Sequence, residues 1–425
     1  MSDELTTEIE TWLSSNWDPD LTVAEWWERL GEAHWAVPTW PEDSFGRDLS
    51  RGDAGIVGQA ITDAGALGPP GGIGVMLAGP TIVAHGTDEQ KARYLRPIVT
   101  GQESWCQLFS EPEAGSDLAG MRTSAVRDGD VFMVNGQKVW TSGGHFADLG
   151  MLMARTDVDV PKHKGISWFA LNMAQPGIDV RPLREMTGRA LFNEVFITDA
   201  TVGEDALVGG LNNGWAVGNT TLMVERSSLG AGGGGNATSS AIAGTVAGHL
   251  DKRAGDFVSG GRRGSGTAGV LGGGAGKLIL TLAKRNGPLV DTPTQRMIRQ
   301  DIVRLHEMQE IARFSNLRQK AARAAGVKLT GGEPNIAKLS MTRITRLAAE
   351  LGLALQGPAG MLWGDPNCDP VAAELFLFAP AVSIYGGTDE VQRNIIGERV
   401  LGLPTEPRSD KDVPFSELKF SATRS

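Results

Sequence analysis

QLFSEPEAGSD, residues 107–117, precedes a second distinctive segment, KVWTSGG, residues 138–144. The first segment is a run of small and polar residues whose backbone can approach a ligand closely. The second is the end of a predicted strand that carries the large aromatic Trp140 beside two hydroxyl residues. Either segment alone also fits surface turns around a core tryptophan. Together they predict a site that holds a planar ring.

Two further motifs lie towards the end of the chain, QGPAG at residues 356–360 and IYGGTDEVQRNII at residues 384–396. In this order, the four segments resemble the acyl-CoA dehydrogenase family over most of the chain. The resemblance implies an α+β subunit with an N-terminal all-helical domain, a middle β-barrel-like domain and a C-terminal helical bundle. It also implies that FAD binds between the middle and C-terminal domains, and that the subunits form a tetramer.

Hydrophobic patterning divides the chain into the same three parts. Helical periodicity, short strand-like runs and a second helical region predict domains at residues 1–103, 104–216 and 217–425. Residues 230–276 contain 17 of the 57 glycines. Because glycine is entropically costly to order, we expect a loop or flexible insertion there.

Local signals predict several individual elements. The dipeptide Asn135-Gly136 between two apolar runs predicts a β-hairpin with a type I′ turn. Thr87 followed three residues later by Gln90 predicts a capped helix start. Six of the 11 tryptophans lie in the first 40 residues and are interpreted as packing anchors between helices. Further strands are predicted at residues 149–154, 166–171 and 194–197, and a helix with one apolar face at residues 302–314.

The family resemblance implies roles for individual residues. At the flavin ring and its surroundings it implies Gln107, Phe109, Ser110, Gly115, Ser116, Trp140 and Ser142. For the rest of the cofactor it implies Gln356 and Gly360 of a neighbouring subunit, together with Thr388 and Glu390. Towards the thioester substrate it implies Ser116, Tyr385 and Gly386.

The catalytic base is where the sequence departs from the commonest family pattern. Many members carry a glutamate immediately after the tyrosine, where this chain has Gly386. A smaller subgroup, which includes the isovaleryl-CoA and long-chain types, supplies the carboxylate from a C-terminal-domain helix within a Glu-Arg pair. Glu225 and Arg226 match that pair, so we predict Glu225 as the base and Arg226 as its partner. An ordinary solvated acid is the alternative for Glu225, and Asp389 or Glu390 would then be the fallback.

The implied reaction removes the proton alpha to a thioester while hydride passes to the flavin. Stabilising the developing enolate oxygen needs preorganised donors. The resemblance implies a flavin hydroxyl and the backbone N–H of Gly386 for this task. Because a backbone donor needs no side chain, glycine can serve there.

Composition excludes other functional classes. A formal charge of -10 and a pI near 5.2 disfavour nucleic acid as a partner. The chain has two cysteines, and neither lies in a metal-ligand spacing, so we expect neither a disulfide framework nor a metal site. Neither a signal peptide nor an apolar stretch of membrane-spanning length is recognised. The expected location is therefore the cytoplasm, with no membrane association.

The expected partners follow from the resemblance. They are an acyl-CoA substrate, an electron-transfer flavoprotein as acceptor, and further subunits in a homotetramer or hetero-oligomer. The Arg-x-x-Phe-Gly element that many relatives use for the flavin pyrophosphate is not found, and Arg296 or Arg299 is the candidate substitute. Two alternatives stay open: a catalytically silent subunit of a hetero-oligomer, and a flavin oxidase or monooxygenase on the same scaffold.

Overall fold

A computed structural model describes residues 2–230, 249–258, 274–286, 292–364, 366–405, 407 and 410–418. Helices occupy the beginning and the end of this described chain, and one sheet lies between them. The predicted α+β class, with helical, β and helical parts in this order, is confirmed. None of the described helices has the length and apolar character needed to cross a membrane.

The N-terminal helices pack around a cluster of tryptophans. Their bounds are α1 Ser2–Asn16, α2 Val23–Glu32, α3 Arg51–Asp63, α4 Gly79–His85 and α5 Asp88–Val99, with a π-helix at Gly74–Ala78 before α4. The rings of Trp17 and Trp26 meet edge-on with centroids 4.7 Å apart, and Trp26 is completely buried. Thr87 and Gln90 form the predicted capping box at the start of α5. The tryptophans therefore serve as packing anchors, as predicted.

The middle part of the chain forms one eight-stranded sheet. Its strands are β1 Trp105–Leu108, β2 Ser124–Asp128, β3 Val131–Ser142, β4 Leu149–Arg155, β5 Ile166–Asn172, β6 Ile178–Leu183, β7 Phe192–Gly203 and β8 Leu207–Val208. The strand order is β6-β7-β3-β2-β4-β5-β8, and β1 pairs with β4 in parallel. The three strands predicted at residues 149–154, 166–171 and 194–197 are thus confirmed as β4, β5 and part of β7.

The predicted hairpin at Asn135-Gly136 is wrong. β3 continues through both residues, and its register against β7 shifts there, as at a β-bulge. The Asn135 side chain bonds Asp199 in β7, and a Cβ at Gly136 would lie 2.4 Å from Thr123 Oγ1. Glycine is needed at residue 136 because the backbone packs closely against Thr123 of the same chain, and not because the chain turns there. The hairpin turn lies instead at Gly129, between β2 and β3, where φ is +61°.

The C-terminal helices are α6 Gly214–Gly230, α7 Gly255–Val258, α8 Ala275–Arg285, α9 Pro293–Ala324, α10 Glu333–Ala354, α11 Pro370–Val382 and α12 Asp389–Ile395. The helices α8 to α11 build a second core, whereas α6 and α7 pack on the first core. α9 confirms the helix predicted at residues 302–314, but only the first half of its apolar face is covered: Leu305 is buried, whereas Phe314 is 59% exposed. Arg296 and Arg299 lie exposed on this helix.

The insertion predicted at residues 230–276 lies largely outside the described residues. Its longest described part, residues 249–258, packs on the start of α2. Val23 and Ala24 donate backbone hydrogen bonds to the carbonyls of Lys252 and Leu250, at 2.9 and 3.0 Å. This piece of the glycine-rich region is therefore attached to the N-terminal helices.

α6 connects the sheet to the C-terminal helices through a very close contact at its first residue. A Cβ at Gly214 would lie 2.4 Å from the carbonyl carbon of Ser167 in β5. Only glycine lets the helix begin this near to the strand. The position of α6 relative to the sheet is therefore set at Gly214.

We expect Gly214→Ala to lower the free energy of unfolding by about 1–3 kcal/mol, because the added methyl group must push α6 away from β5. Urea unfolding measures the change. Gly58→Ala in α3 is the matched control, since nothing lies within 4 Å of its Cβ position. That control should be neutral or stabilise by about 0.4–1 kcal/mol. Equal effects of the two substitutions would contradict the proposed close contact.

Candidate active site

Glu225 lies on the inward face of α6. Gly214, Gly218 and Glu225 follow one another at helical spacing, so they share one side of the helix. A Cβ at Gly218 would lie 2.6 Å from Met153 Sδ in β4. Met223, on the opposite side of α6, is 60% exposed. The helix therefore directs Glu225 towards the sheet and Met223 towards solvent.

The Glu225 carboxylate occupies a recess between α6 and β1. Gln107 Nε2 donates a long hydrogen bond to Glu225 Oε2 at 3.5 Å. Protein atoms surround the carboxylate, yet the residue keeps partial access to solvent, as expected in a recess. Burial raises the pKa of Glu225 above its ordinary value, and the Gln107 hydrogen bond and the Arg226 charge oppose this only in part.

Side chains from the last helices also reach this recess. Burial, together with the negative charge of Glu225, raises the pKa of Tyr385 to about 12. Burial lowers the pKa of Arg226, while Glu225 raises it and Arg399 lowers it again. Arg399 belongs to the π-helix Ile396–Val400 that follows α12. β1, α6 and the chain before α12 therefore meet at the Glu225 carboxylate, and Arg399 after α12 acts on Arg226.

The turn after Tyr385 is held rigidly by α10 and α12. Gly386 and Gly387 have φ values of +64° and +83°, in the left-handed region that favours glycine. The buried Gln392 donates Nε2 to both carbonyl oxygens, at 2.8 and 3.2 Å, and accepts from Asn335 Nδ2 at 2.6 Å. Thr388 caps the first turn of α12 through its side chain. A glutamate at residue 386 would have to adopt this strained backbone conformation.

The two fallback acids, Asp389 and Glu390, each form an ion pair with a basic residue other than Arg226. Asp389 Oδ1 lies 3.1 Å from Nζ of Lys338, which is buried in α10. Glu390 pairs with Arg393 at 3.1 Å, and its side chain is 76% exposed. Asp389 is therefore already paired with a buried lysine, and Glu390 lies largely in solvent.

β3 ends in an irregularity that turns Trp140 outward. The register with β7 shifts between Lys138 and Thr141, and Trp140 has φ +62°, an uncommon value for a non-glycine residue. The Trp140 ring is 61% exposed and meets Phe192 edge-on with centroids 5.9 Å apart. Ser142 is half-buried, and the buried Thr141 hydroxyl has no hydrogen-bond partner among the described residues. Bulges of this kind re-aim a side chain.

The segment at residues 107–117 lies beside this end of β3. Ser110 accepts a backbone hydrogen bond from Val139 at 2.9 Å. The Phe109 side chain is buried in the core, whereas Gly115 and Ser116 are exposed. The structure thus brings the two motifs of the first third of the chain together.

Gln356 and Gly360 have roles at the end of α10. Gln356 Nε2 donates to the Gly352 carbonyl at 2.6 Å, and its Oε1 accepts from the Asp369 amide. A Cβ at Gly360 would lie 2.6 Å from the Leu353 carbonyl oxygen. These contacts explain both residue types within one chain. A role towards a neighbouring subunit's cofactor stays a prediction.

A buried ion pair beneath the motifs was missed by the sequence interpretation. Lys138 Nζ lies 2.9 Å from Glu111 Oε1 and donates to the Phe109 carbonyl at 3.1 Å. Glu111 also accepts from the amides of Arg122 and Thr123, at 2.7 and 2.9 Å. The sequence contained a signal for this ion pair, because Lys138 lies on the same face of β3 as buried apolar residues. A charge on an apolar strand face needs a buried partner.

Family models for three consecutive domains match the chain. Acyl-CoA dehydrogenase, N-terminal domain, matches residues 1–102; acyl-CoA dehydrogenase, middle domain, matches residues 106–200; and acyl-CoA dehydrogenase, C-terminal domain, matches residues 278–401. The acyl-CoA dehydrogenase IpdE1 of Mycobacterium tuberculosis is 34% identical, over 90% of this chain and 88% of its own length. The chain belongs to the acyl-CoA dehydrogenase family.

Other relatives of this acyl-CoA dehydrogenase extend the comparison. The acyl-CoA dehydrogenase FadE34 of Mycobacterium tuberculosis is 36% identical over 88% of this chain. This chain spans only 45% of the length of FadE34. Among solved structures, one described as the ChsE4-ChsE5 complex from Mycobacterium tuberculosis matches with a TM-score of 0.67 and 27% identity, over 95% of this chain and 98% of that chain.

The buried Glu225 carboxylate should make stability depend on pH in a specific direction. Its pKa is raised on folding, so stability is greatest below the pKa of the unfolded chain, roughly 4.3, and is lost as pH rises through the folded value. Glu225→Gln removes this loss. We therefore expect the unfolding free energy of the variant, relative to the parent, to increase with pH across that window.

Urea unfolding between about pH 3 and pH 8 tests this expectation. Glu204→Gln is a control of opposite sign, because the hydrogen bond from Arg127 lowers the pKa of the exposed Glu204. Its stability relative to the parent should decrease as pH rises towards roughly 4.3 and should stay level above that value. A pH-independent difference for Glu225→Gln would show that the carboxylate is solvated in the folded protein.

Proposed function

We propose that this protein catalyses the FAD-dependent α,β-dehydrogenation of an acyl-CoA thioester to the 2-enoyl-CoA, with Glu225 as the catalytic base. The observation that carries the proposal is the Glu225 carboxylate in a recess lined by Gln107 and Tyr385. This environment raises the pKa of Glu225. A base with a raised pKa is matched to the removal of a weakly acidic proton near neutral pH.

The proton transfer is a task for side chains of this chain alone. Glu225 takes the proton from the carbon alpha to the thioester carbonyl and holds it on its carboxyl group. The positive charge of Arg226, next to it on α6, favours the ionised form of Glu225 before the reaction. Gln107 donates to the same carboxylate and orients it. Tyr385 closes the other side of the recess, against the substrate.

The thioester carbonyl oxygen becomes more negative as the proton leaves. We assign its stabilisation to the backbone N–H of Gly386, in the turn that Gln392 holds through two carbonyl oxygens. A donor held in place before the reaction needs no reorganisation in the transition state. The glycine at residue 386 leaves space where many relatives have a glutamate side chain.

The residues at the end of β3 fit a flavin. Trp140 is an exposed aromatic held at a positive φ, and the Thr141 hydroxyl beside it is buried without a partner among the described residues. Such a pair offers an aromatic surface and a polar contact to a planar ring. We propose that the main chain of Phe109 and Ser110, and the side chain of Ser142, complete this contact. FAD, when bound, accepts the hydride that leaves the beta carbon.

The outer parts of the cofactor and the thioester are assigned to other motif residues. Gly115 and Ser116 are exposed at the loop that leads away from β1, as a ligand contact requires. Thr388 and Glu390 lie at the start of α12. We propose that these four residues, together with Gln356 and Gly360 of a neighbouring subunit, contact FAD, and that Ser116 also contacts the thioester.

Electron transfer and assembly are proposed by analogy with the family. An electron-transfer flavoprotein is the expected acceptor, and the subunit is expected in a homotetramer or in a hetero-oligomer. A specific observation supports the hetero-oligomer, because one of the similar solved structures is described as the ChsE4-ChsE5 complex. A catalytically silent subunit is therefore the second candidate function. Purifying this chain alone separates the candidates: flavin that bleaches with an acyl-CoA supports the enzyme, and a colourless protein supports the silent subunit.

Glu225→Gln should retain flavin and lower kcat by roughly 100- to 10,000-fold, because the amide cannot accept the proton. Turnover with an acyl-CoA and an artificial electron acceptor measures the loss. The matched control is Glu204→Gln, an exposed glutamate paired with Arg127 on the sheet, which should keep the parent's rate. A Glu225→Gln variant as active as the parent would exclude Glu225 as the base.

Gln107→Leu should shift the acidic limb of the pH-rate profile to higher pH. The charged groups and donors that face Glu225 are Gln107 from β1, Arg226 from α6, and Tyr385, with Arg399 acting on Arg226. Removing the Gln107 donor leaves burial less opposed, so the pKa of Glu225 rises further. An unchanged acidic limb would mean that Gln107 does not contact the base during turnover.

A further inference from the structure

The loop that carries Gly115 and Ser116 is exposed at its tip and anchored at its base. Glu111 and Ala114 exchange two backbone hydrogen bonds of 3.1 Å, which close a tight turn before the tip. Beyond the tip, Asp117 leads into a short 3-10 helix at Leu118–Gly120. The position of the tip therefore depends on what holds Asp117 and the residues after it.

Lys162 forms an ion pair with Asp117. Its ammonium group donates to both carboxylate oxygens of Asp117, at 2.9 and 3.0 Å, and lies 2.7 Å from Asp410 Oδ2. The Lys162 side chain is only 11% exposed. Burial by itself would lower the pKa of this ammonium, but the two aspartates raise it. Lys162 is thus a charged bridge between the loop and a segment far along the chain.

Arg155 supports the same loop at two carbonyl groups and holds Lys162 at a third. Its guanidinium donates to the carbonyls of Ala119, Met121 and Lys162, at 2.6, 3.2 and 3.0 Å. The Phe415 ring covers this guanidinium at 3.5 Å from the ring centroid. An arginine held between carbonyl oxygens and an aromatic ring has little conformational freedom.

Asp410 and Phe415 belong to a C-terminal tail, residues 410–418, that returns to the sheet. Phe415 and Ser416 donate backbone hydrogen bonds to the carbonyls of Val160 and Val158, at 2.9 and 2.8 Å. The tail therefore pairs with the chain between β4 and β5, next to Lys162. It places a carboxylate on Lys162 and a ring on Arg155 at the same time.

We propose that Lys162 is a positioning residue for the Gly115-Ser116 tip, and that Asp410 of the C-terminal tail keeps Lys162 in place. The inference rests on the proposed function, in which this tip contacts FAD and the thioester. Lys162 itself touches neither group; it acts through Asp117. Without Asp410, Lys162 no longer connects Asp117 to the C-terminal tail, so the tip loses this anchor and becomes more mobile.

Hydrogen exchange of the purified protein tests the proposal without any enzyme assay. We expect Asp410→Asn and Lys162→Met each to speed up amide exchange in residues 113–121 by about 3- to 10-fold, with little change in the sheet. Asp179→Asn is the matched control, because it breaks an exposed ion pair with Arg181 in β6 of the same sheet. Exchange that stays at the parent's rate in both variants would overturn the proposal.

A double variant shows whether Asp410 acts through Lys162. In the Lys162→Met background, Asp410→Asn should cause no further change in exchange, since the bridge is already lost. Additive effects of the two substitutions would overturn the proposed route. As a single substitution, with Lys162 present, Asp410→Glu should keep amide exchange as slow as in the parent, because it returns a carboxylate to Lys162.

Kinetics then connect the tip to catalysis. We expect kcat/KM of Asp410→Asn to fall by roughly 3- to 30-fold, with restoration in Asp410→Glu. Faster exchange with unchanged kcat/KM would show that the tail only stabilises the fold and would overturn the positioning role. Failure of the base assignment is a separate result, because it appears in Glu225→Gln and leaves the exchange data unaffected.

Discussion

The contact between α6 and the sheet controls the geometry of the candidate site. At Gly214 the helix lies so near to β5 that a single methyl group would collide with the strand's backbone. Gly218 repeats the close approach one turn later, against β4. Because Glu225 follows on the same side of the helix, the contact that fixes α6 also aims the carboxylate at β1. A base displaced by even about 1 Å would lose much of its catalytic effect.

The acyl-CoA dehydrogenase motifs depend on buried charges that do not themselves touch a ligand. Lys138 and Glu111 form a buried pair that also bonds two backbone amides and one backbone carbonyl. Removing one partner of such a pair typically costs about 3–5 kcal/mol, because a buried charge is left uncompensated. Arg155 repeats the arrangement with three carbonyls. These groups give a loop of small residues a defined shape.

The helices α10 and α12 shape the candidate site but do not carry Glu225. Gln392 and Asn335 hold the glycine turn after Tyr385, and Lys338 engages Asp389 in the same region. A carboxylate at residue 386 would have required a side chain on a left-handed backbone. The chain has glycine there and places its carboxylate on α6, on the opposite wall of the recess. The two arrangements meet a similar chemical need from different elements.

Local sequence was sufficient for the order of the elements and for the family. The capping box at Thr87, the short apolar runs of β4 and β5 and the four motifs depend on neighbours within a few residues, so they can be recognised from the sequence. The interpretation of Asn135-Gly136 failed because the same dipeptide suits a turn and a bulge, and Thr123 and Asp199 decide between them. Thr123 and Asp199 lie far apart in the sequence, so no local pattern shows that both contact this dipeptide.

The sequence by itself determined the fold class and the choice of Glu225 as the candidate base. Only the tertiary structure decided that Glu225 faces a recess, since burial depends on which side of α6 meets β1. It also decided that Lys162 bridges Asp117 and Asp410, residues that no local pattern connects. The physical reason is that periodicity reports the two faces of a helix or strand, whereas electrostatic environment depends on what packs against each face.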